Sequence, residues 1–343
     1  MSKHDEPGRA QQTQSFLDGT EWRNAMVAPL AGDASNRRYL RLSGQAGPAV
    51  LMDAPPDRGE DTQPFIAMTE WLRALGLSAP AILATDPVQG FLLLEDLGDA
   101  LYARCVADAP NLEKDLYAAA VRLLAKLSEH APPSGLAPYD AAVLDREAHL
   151  FTEWWLPAAT GSTTTDVITQ TFLNLVAQAT SDVSTSRDIV VLRDYHAENL
   201  LWLPEREGHA RIGLLDYQDA LLGHPAYDLV SLLEDARRDT TPELREEMLL
   251  LYLSERPELD PAEFRAAYAC LGAQRNLKII GIFARLALRD RKPRYLTLIP
   301  RVWEHLRRDM EHPSLAALRD WVLAHSPEPT PALLARIAEE TTP

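Results

Sequence analysis

The order of its patterns constrains this chain most. Roughly the first hundred residues read as strands around one helix, the rest repeats like helices, and one β island interrupts the helical part. From Met26 to Asp53, MVAPL, RRYLRL and AVLMD are separated by the turn-like GDASN and by a Gly/Pro-containing break. That is a three-strand meander ended by Pro55 and Pro56. In TQPFIAMTEWLRALG, Phe65, Met68, Leu72 and Leu75 recur at helical spacing, with Gly76 where a C-cap belongs. Ala81–Ala84 and Phe91–Leu94 read as two further strands, so the start is β-β-β-α-β-β. After Gly98 helical patterns dominate; Leu112, Leu116, Leu123 and Leu127 share one face of Asn111–His130, and Pro132 and Pro133 follow. The island is VVL before Arg193 and Asp194, then NLLWL and ARIGLLDY joined by the hairpin-like PEREGH. The expected class is α+β: a disordered tail over residues 1–14, a β-rich lobe over 15–97, and a larger, mainly helical lobe over 98–343 that contains the island.

Composition narrows the function. The 343 residues suffice for two lobes with a sizeable core, 46% of them hydrophobic and 24% charged. With 34 basic and 50 acidic residues the net charge is −16, which argues against binding to nucleic acid or to an anionic membrane. Cys105 and Cys270 form neither a CxxC pair nor a zinc pattern and read as idle thiols in a reducing compartment. The polar start MSKHDEPGRAQQTQ lacks the apolar core of a signal peptide. No run of ~18 apolar residues occurs; Ile279–Leu288 comes nearest, interrupted by Arg285 and preceded by Lys278. A cytoplasmic protein is expected, with a small-molecule partner; the sequence sets no oligomeric state.

The residues suited to chemistry cluster in VVLRDYHAENLLWL and IGLLDYQDALLGHPAYDLVSLL. Phosphoryl transfer needs a carboxylate to accept a proton from the attacking hydroxyl and hard oxygen ligands for magnesium. Asp194 and Asn199 have the Asp-x4-Asn spacing of the base-plus-metal-ligand loop of protein kinases. Asp216 ends a hairpin strand, where a second metal-binding Asp would stand.

Together these segments resemble the aminoglycoside phosphotransferase and choline kinase-like family, small-molecule relatives of protein kinases. That family's pattern is roughly His-Gly-Asp-x-His-x-x-Asn, then Ile-Asp-Phe/Trp, then Gly-x4-Asp-Leu. Here it reads Leu192-Arg193-Asp194-Tyr195-His196-Ala197-Glu198-Asn199, then Leu215-Asp216-Tyr217, then Gly223 and Asp228-Leu229. The resemblance implies a protein-kinase-like two-lobed fold, ATP and Mg2+ as cofactors, Asp194 as catalytic base, and Asn199 and Asp216 as metal ligands. It makes His196 structural and gives Asp228 the capping or anchoring of the following helix. Leu192 departs from the family's His, and Arg193 either reaches the substrate or is held in a salt bridge.

The phosphate end departs further. Gly32-Asp33-Ala34-Ser35-Asn36 stands where kinases have a phosphate-covering loop but is poor in glycine; Gly32 and Ser35 are candidate contacts, a plain turn the alternative. The third strand carries no lysine, and Met52 takes its place. Arg37, Arg38 or Arg41 is left to supply the charge, and strand alternation admits only one face. Without the lysine, Glu70 reads as a solvated helix residue. By position, the Glu95 carbonyl and the Leu97 N–H are candidates for adenine.

Within the family, GDASNRRYLRL, VLMDAPP and QRNLKIIGIFARLA resemble the bacterial kinases that phosphorylate the anomeric hydroxyl of N-acetylmuramate and N-acetylglucosamine in cell-wall recycling. That resemblance implies an amino-sugar acceptor, with Asp219, Arg275 and Asn276 as candidate contacts beside Arg193. Internal pairing competes for Arg275, and core packing competes with sugar stacking for Trp154 and Trp155. Another small acceptor, such as an aminoglycoside, choline or amino alcohol, and a nucleotide-binding pseudo-kinase are the alternatives.

Overall fold

The computed structural model describes residues 6–30 and 36–340. In chain order, α1 (Glu6–Asp18) precedes β1 (Met26–Leu30), β2 (Arg38–Ser43) and β3 (Ala49–Asp53). Next come α2 (Gln63–Ala74), β4 (Ile82–Asp86), β5 (Phe91–Glu95), α3 (Tyr102–Asp108) and α4 (Glu113–Leu127). After these follow α5 (Ala141–Leu150), α6 (Leu156–Thr160) and α7 (Asp166–Ala179). The island holds β6 (Ile189–Val191), β7 (Leu200–Trp202), β8 (Ile212–Leu214) and β9 (Leu221–Gly223). The chain ends with α8 (Ala226–Leu233), α9 (Pro242–Glu255), α10 (Pro261–Leu288), α11 (Ile299–Asp309), α12 (Ala316–His325) and α13 (Pro331–Glu339). No helix among the described residues is long and apolar enough to cross a membrane.

Two compact units result: residues up to Asp108 with Glu198–Asp219, and Ala109–Ala197 with the chain from Ala220 onward. The division expected from sequence lay at residues 97 and 98. The β7–β8 hairpin belongs with the first unit because its backbone is bonded there. The Trp202 N–H donates to the Ala100 carbonyl at 2.8 Å and the Leu214 N–H to that of Ser78 at 2.9 Å. Arg206, on the hairpin turn, pairs with Glu95 at 2.6 Å and donates to Ser78 Oγ at 2.7 Å. Gly213 sits where a Cβ would come within 2.9 Å of Leu201 and 3.2 Å of Leu97. Such long-range pairings leave no mark in local periodicity.

The first unit is built on an antiparallel sheet in the order β1-β2-β3-β5-β4. One face buries Leu42, Ala49, Leu51, Phe91 and Leu93 with Leu17 of α1. Residues 6–14, expected as part of a disordered tail, are helical instead. Arg9 donates to Asp53 and to the Gln89 carbonyl and lies 4.0 Å from the Phe91 ring centroid. With one buried leucine and one paired arginine, α1 has too little apolar repeat to be read from sequence.

In the second unit β6 pairs with β9, a strand not foreseen in the sequence. The helices share a core that includes Phe151, Trp155, Phe172, Ile280, Trp303 and Trp321. Trp155 is fully buried, its Nε1 donating to Ser326 Oγ at 2.9 Å, and Trp154 packs against the same core. The long α10 starts where Asp260 accepts from the Ala262 and Glu263 N–H groups. At Gly281 it passes Leu150 so closely that a Cβ would lie 2.4 Å from that residue's backbone.

Candidate active site

Asp194 follows β6 in the second unit, and its loop is anchored from behind. Asp228, in the first turn of α8, accepts the Leu192 N–H at 2.7 Å and the Arg193 N–H at 2.8 Å. Burial lifts the Asp228 carboxyl to about 7, against the pull of those two donors. Arg193 adopts a left-handed backbone (φ 71°), a conformation costing about 1–2 kcal/mol without glycine that its neighbours must over-determine. Ser231 Oγ donates to the Arg193 carbonyl at 3.0 Å, and Arg275 donates to that Oγ at 2.8 Å. Tyr195 OH donates to the Ala120 carbonyl of α4 at 2.9 Å. Between these anchors Asp194 is half-buried.

The Arg193 guanidinium pairs with Glu147, which also accepts from Tyr139 OH and from Lys278 Nζ at 2.9 Å. Burial opposes ionisation of Glu147, but Lys278 and Arg193 outweigh it and pull its pKa down. Of the two expectations for Arg193, the structure shows the internal ion pair. Arg275 and Asn276 also have protein partners. Arg275 is 5% exposed and braces the loop through Ser231. Asn276 is fully buried, its amide donating to Glu234 at 2.8 Å and Asp309 at 2.9 Å. Both stand on the inner face of α10, where a polar side chain needs a protein partner. His196 is buried, which lowers the pKa of its imidazole, and its backbone N–H donates to the Asp194 carbonyl at 3.2 Å.

Asn199 and Asp216 belong to the first unit. The Asn199 carbonyl accepts the Leu215 N–H at 3.0 Å, which joins the two ends of the β7–β8 hairpin. Asp216 also has a left-handed backbone (φ 58°) and is exposed. Tyr217 beside it is buried, stacked on Phe65 of α2 at 5.1 Å, with its OH 2.6 Å from Thr69 Oγ. Gln218 Nε2 donates to Asp216 at 3.0 Å and to Asp219 at 3.2 Å. Arg37 pairs with Glu60 at 3.0 Å and reaches Asp219 at 3.9 Å. Burial disfavours the Arg37 charge, yet Tyr39, Glu60, Asp216 and Asp219 more than compensate and raise its pKa. Tyr39 is pushed up to about 12, chiefly by burial.

Arg38 is placed on the other face of β2, opposite Asp53, and pairs with it at 3.0 Å; it is not brought to these carboxylates. Gly32 and Ser35 lie outside the described residues. The Glu95 side chain is held by Arg206 and by the Ala81 N–H at 3.0 Å. Glu70 is exposed, as a solvated helix residue should be. Sequence reasoning missed Glu60, Glu147, Ser231 and Lys278, none of which stands in a recognisable spacing with Asp194 or Asp216.

A profile of the phosphotransferase enzyme family (APH) matches residues 27–265. An N-acetylmuramate/N-acetylglucosamine kinase of Caulobacter vibrioides is 39% identical over 92% of this chain and 96% of its own length. One of Pseudomonas putida is 35% identical over 85% of this chain and 86% of its own. The choline kinase LicA from Streptococcus pneumoniae superposes with a TM-score of 0.60 at 14% identity, covering 89% of this chain and 99% of that one. ADP-bound aminoglycoside phosphotransferase APH(2'')-Ib superposes at 0.59 and 14% identity, covering 90% and 99%. The structural likeness shows a protein-kinase-like fold, with a small β-rich N-lobe and a larger, mainly helical C-lobe.

Proposed function

The chain belongs to the phosphotransferase enzyme family, and from that premise we propose that it transfers the γ-phosphate of ATP to the anomeric hydroxyl of N-acetylmuramate and N-acetylglucosamine. One observation carries this reading: 39% identity to a kinase of that name over nearly the full length of both chains. The reaction would serve cell-wall recycling in the cytoplasm.

In this reading Asp194 accepts the proton of the attacking hydroxyl. An anomeric hydroxyl is more acidic than an ordinary alcohol, so orientation of the carboxylate matters more than its basicity. The backbone anchors on Asp228 and Ser231 supply that orientation. Asn199 and Asp216 would hold Mg2+. Their donor set fits: one carboxylate and one amide oxygen, both with access to solvent, suit an ion that keeps waters and takes its remaining ligands from phosphates. An ion held there would supply positive charge to offset that of the phosphates. Among the described residues no group of three or more His, Cys, Asp or Glu is arranged for a metal.

The test is incubation with Mg-ATP and a panel of sugars and amino alcohols, with ADP release and phosphorus NMR of the product. An acid-labile 1-phosphate from N-acetylmuramate or N-acetylglucosamine, with Asp194→Ala slower by on the order of 10²–10⁴ or more, is the expected result. Reaction only with another acceptor overturns the substrate, and an unimpaired Asp194→Ala overturns the base.

A further inference from the structure

Kinases of this fold place a lysine on the third strand against the nucleotide phosphates and hold it with a carboxylate of the following helix. Here both partners are displaced. Met52 stands on β3 and is 1% exposed, and Glu70 of α2 is exposed to solvent. A phosphate chain still needs a cation.

The strand register selects it. Tyr39 of β2 lies opposite Met52 of β3, so the two share a face of the sheet. Arg37, two residues before Tyr39, continues that face past the strand end. Arg38 opposes Asp53 on the other face and is paired there. Arg41 shares the face of Tyr39 but is taken by Asp96 and Asp99, both at 2.8 Å. Only Arg37 is directed among the carboxylates of the proposed metal loop, where Asp216 and Asp219 act on its charge. Glu60 holds it at 3.0 Å, and Glu60 is itself fixed by the Asn36 N–H at 3.2 Å. The Asp219 contact, at 3.9 Å, is the loosest.

The geometry points to Arg37 as the phosphate-binding cation that replaces the strand-three lysine, with Glu60 as the residue that positions it. This rests on the kinase reading above. In the free protein Arg37 offsets the surplus of acid around Asp216. On nucleotide binding it keeps Glu60 through Nε and exchanges Asp219 for phosphate oxygens through its terminal nitrogens. Arginine's planar fork permits such a double engagement, which a lysine ammonium does not match. The arrangement moves the cation from the middle of β3 to the entrance of β2, and the helix carboxylate to the segment preceding α2.

Binding separates this inference from the function it rests on. Calorimetric titration with Mg-AMPPNP, a non-hydrolysable ATP analogue, and with adenosine needs no acceptor sugar. Arg37→Ala is expected to weaken Mg-AMPPNP roughly ten- to hundredfold, the scale of a charged hydrogen bond, while adenosine binds as before. Arg37→Lys should recover part of the loss, and Glu60→Gln should weaken the analogue by roughly three- to tenfold. Thermal unfolding of each variant checks the fold, and the adenosine titration discounts any variant whose site has collapsed. Wild-type affinity for Mg-AMPPNP in Arg37→Ala overturns the inference and leaves the kinase reading standing. A wild-type chain that binds no Mg-AMPPNP sinks both.

Discussion

The loop that carries Asp194 is gripped from behind by buried polar groups, whereas the loop that carries Asp216 is gripped by stacked rings and leaves its carboxylates in water. Behind Asp194, Asp228 and Ser231 take up main-chain donors and a carbonyl, and Tyr195 ties the loop to α4. Beside Asp216, Tyr217 is sandwiched on Phe65, while Asp216 and Asp219 stay exposed with Gln218 between them. Both loops contain a left-handed non-glycine residue. The difference follows from the proposed tasks. A general base must point one oxygen in one direction, and directional hydrogen bonds set direction. A metal-binding carboxylate must meet a hydrated ion arriving with its phosphates, and packing fixes its backbone while the side chain stays exposed to solvent.

The contrast breaks first at Asp228. Asp228→Ala would strip two buried N–H groups of their acceptor, at a cost of about 3–5 kcal/mol of stability. In protein that remains folded, kcat should fall on the order of a hundredfold with the nucleotide KM little changed. Denaturant unfolding and steady-state kinetics measure both; an unchanged kcat would mean that the anchor does not orient Asp194.

A second measurement reads the buried polar layer of the helical unit through pH. Burial lowers the pKa of His305 from 6.5 to about 4, with Glu234 opposing and Arg308 and Arg245 assisting. The folded imidazole stays neutral while the unfolded chain takes up a proton below about pH 6.5. Its contribution is therefore whole above that pH and is lost as pH falls toward 4, by up to about 3 kcal/mol. The difference in stability between wild type and His305→Gln, followed from pH 7 to 4, should shrink as pH drops. A difference independent of pH would refute the assignment.

The smallest effect is expected at the other loop. Tyr217→Phe keeps the stack on Phe65 and loses the Thr69 hydrogen bond, for about 1 kcal/mol. If packing is what holds Asp216, kcat should change only a few-fold. A loss as large as that of Asp228→Ala would erase the distinction between the two loops.

Much of the fold was legible because its signals are local. The meander, α2 and the β7–β8 hairpin follow from alternation, helical spacing and turn residues, and the structure places them within a few residues of the expected bounds. The motif that suggests the candidate site was legible for the same reason, since Asp194 and Asn199 sit five residues apart on one stretch and Asp216 ends the adjoining hairpin. The internal partners of Arg193, Arg275 and Asn276 could not be read, because a polar side chain beside a motif looks the same in sequence whether it faces a substrate or a buried partner. Helix α1 escaped because Arg9, Phe16 and Leu17 hold it to the sheet, too few apolar residues to repeat at helical spacing.

Sequence alone determined which residue types are available for chemistry and where the strongly patterned strands and helices lie, because these depend on neighbours in the chain. Tertiary structure decided the rest. It assigned the β7–β8 hairpin to the N-terminal unit, paired β6 with β9, turned Asp228 onto the backbone of the Asp194 loop, and set Arg38 opposite Asp53 while Arg37 pairs with Glu60. Each of these depends on partners tens of residues away, and a hydrogen bond or ion pair is decided by where two side chains meet in space.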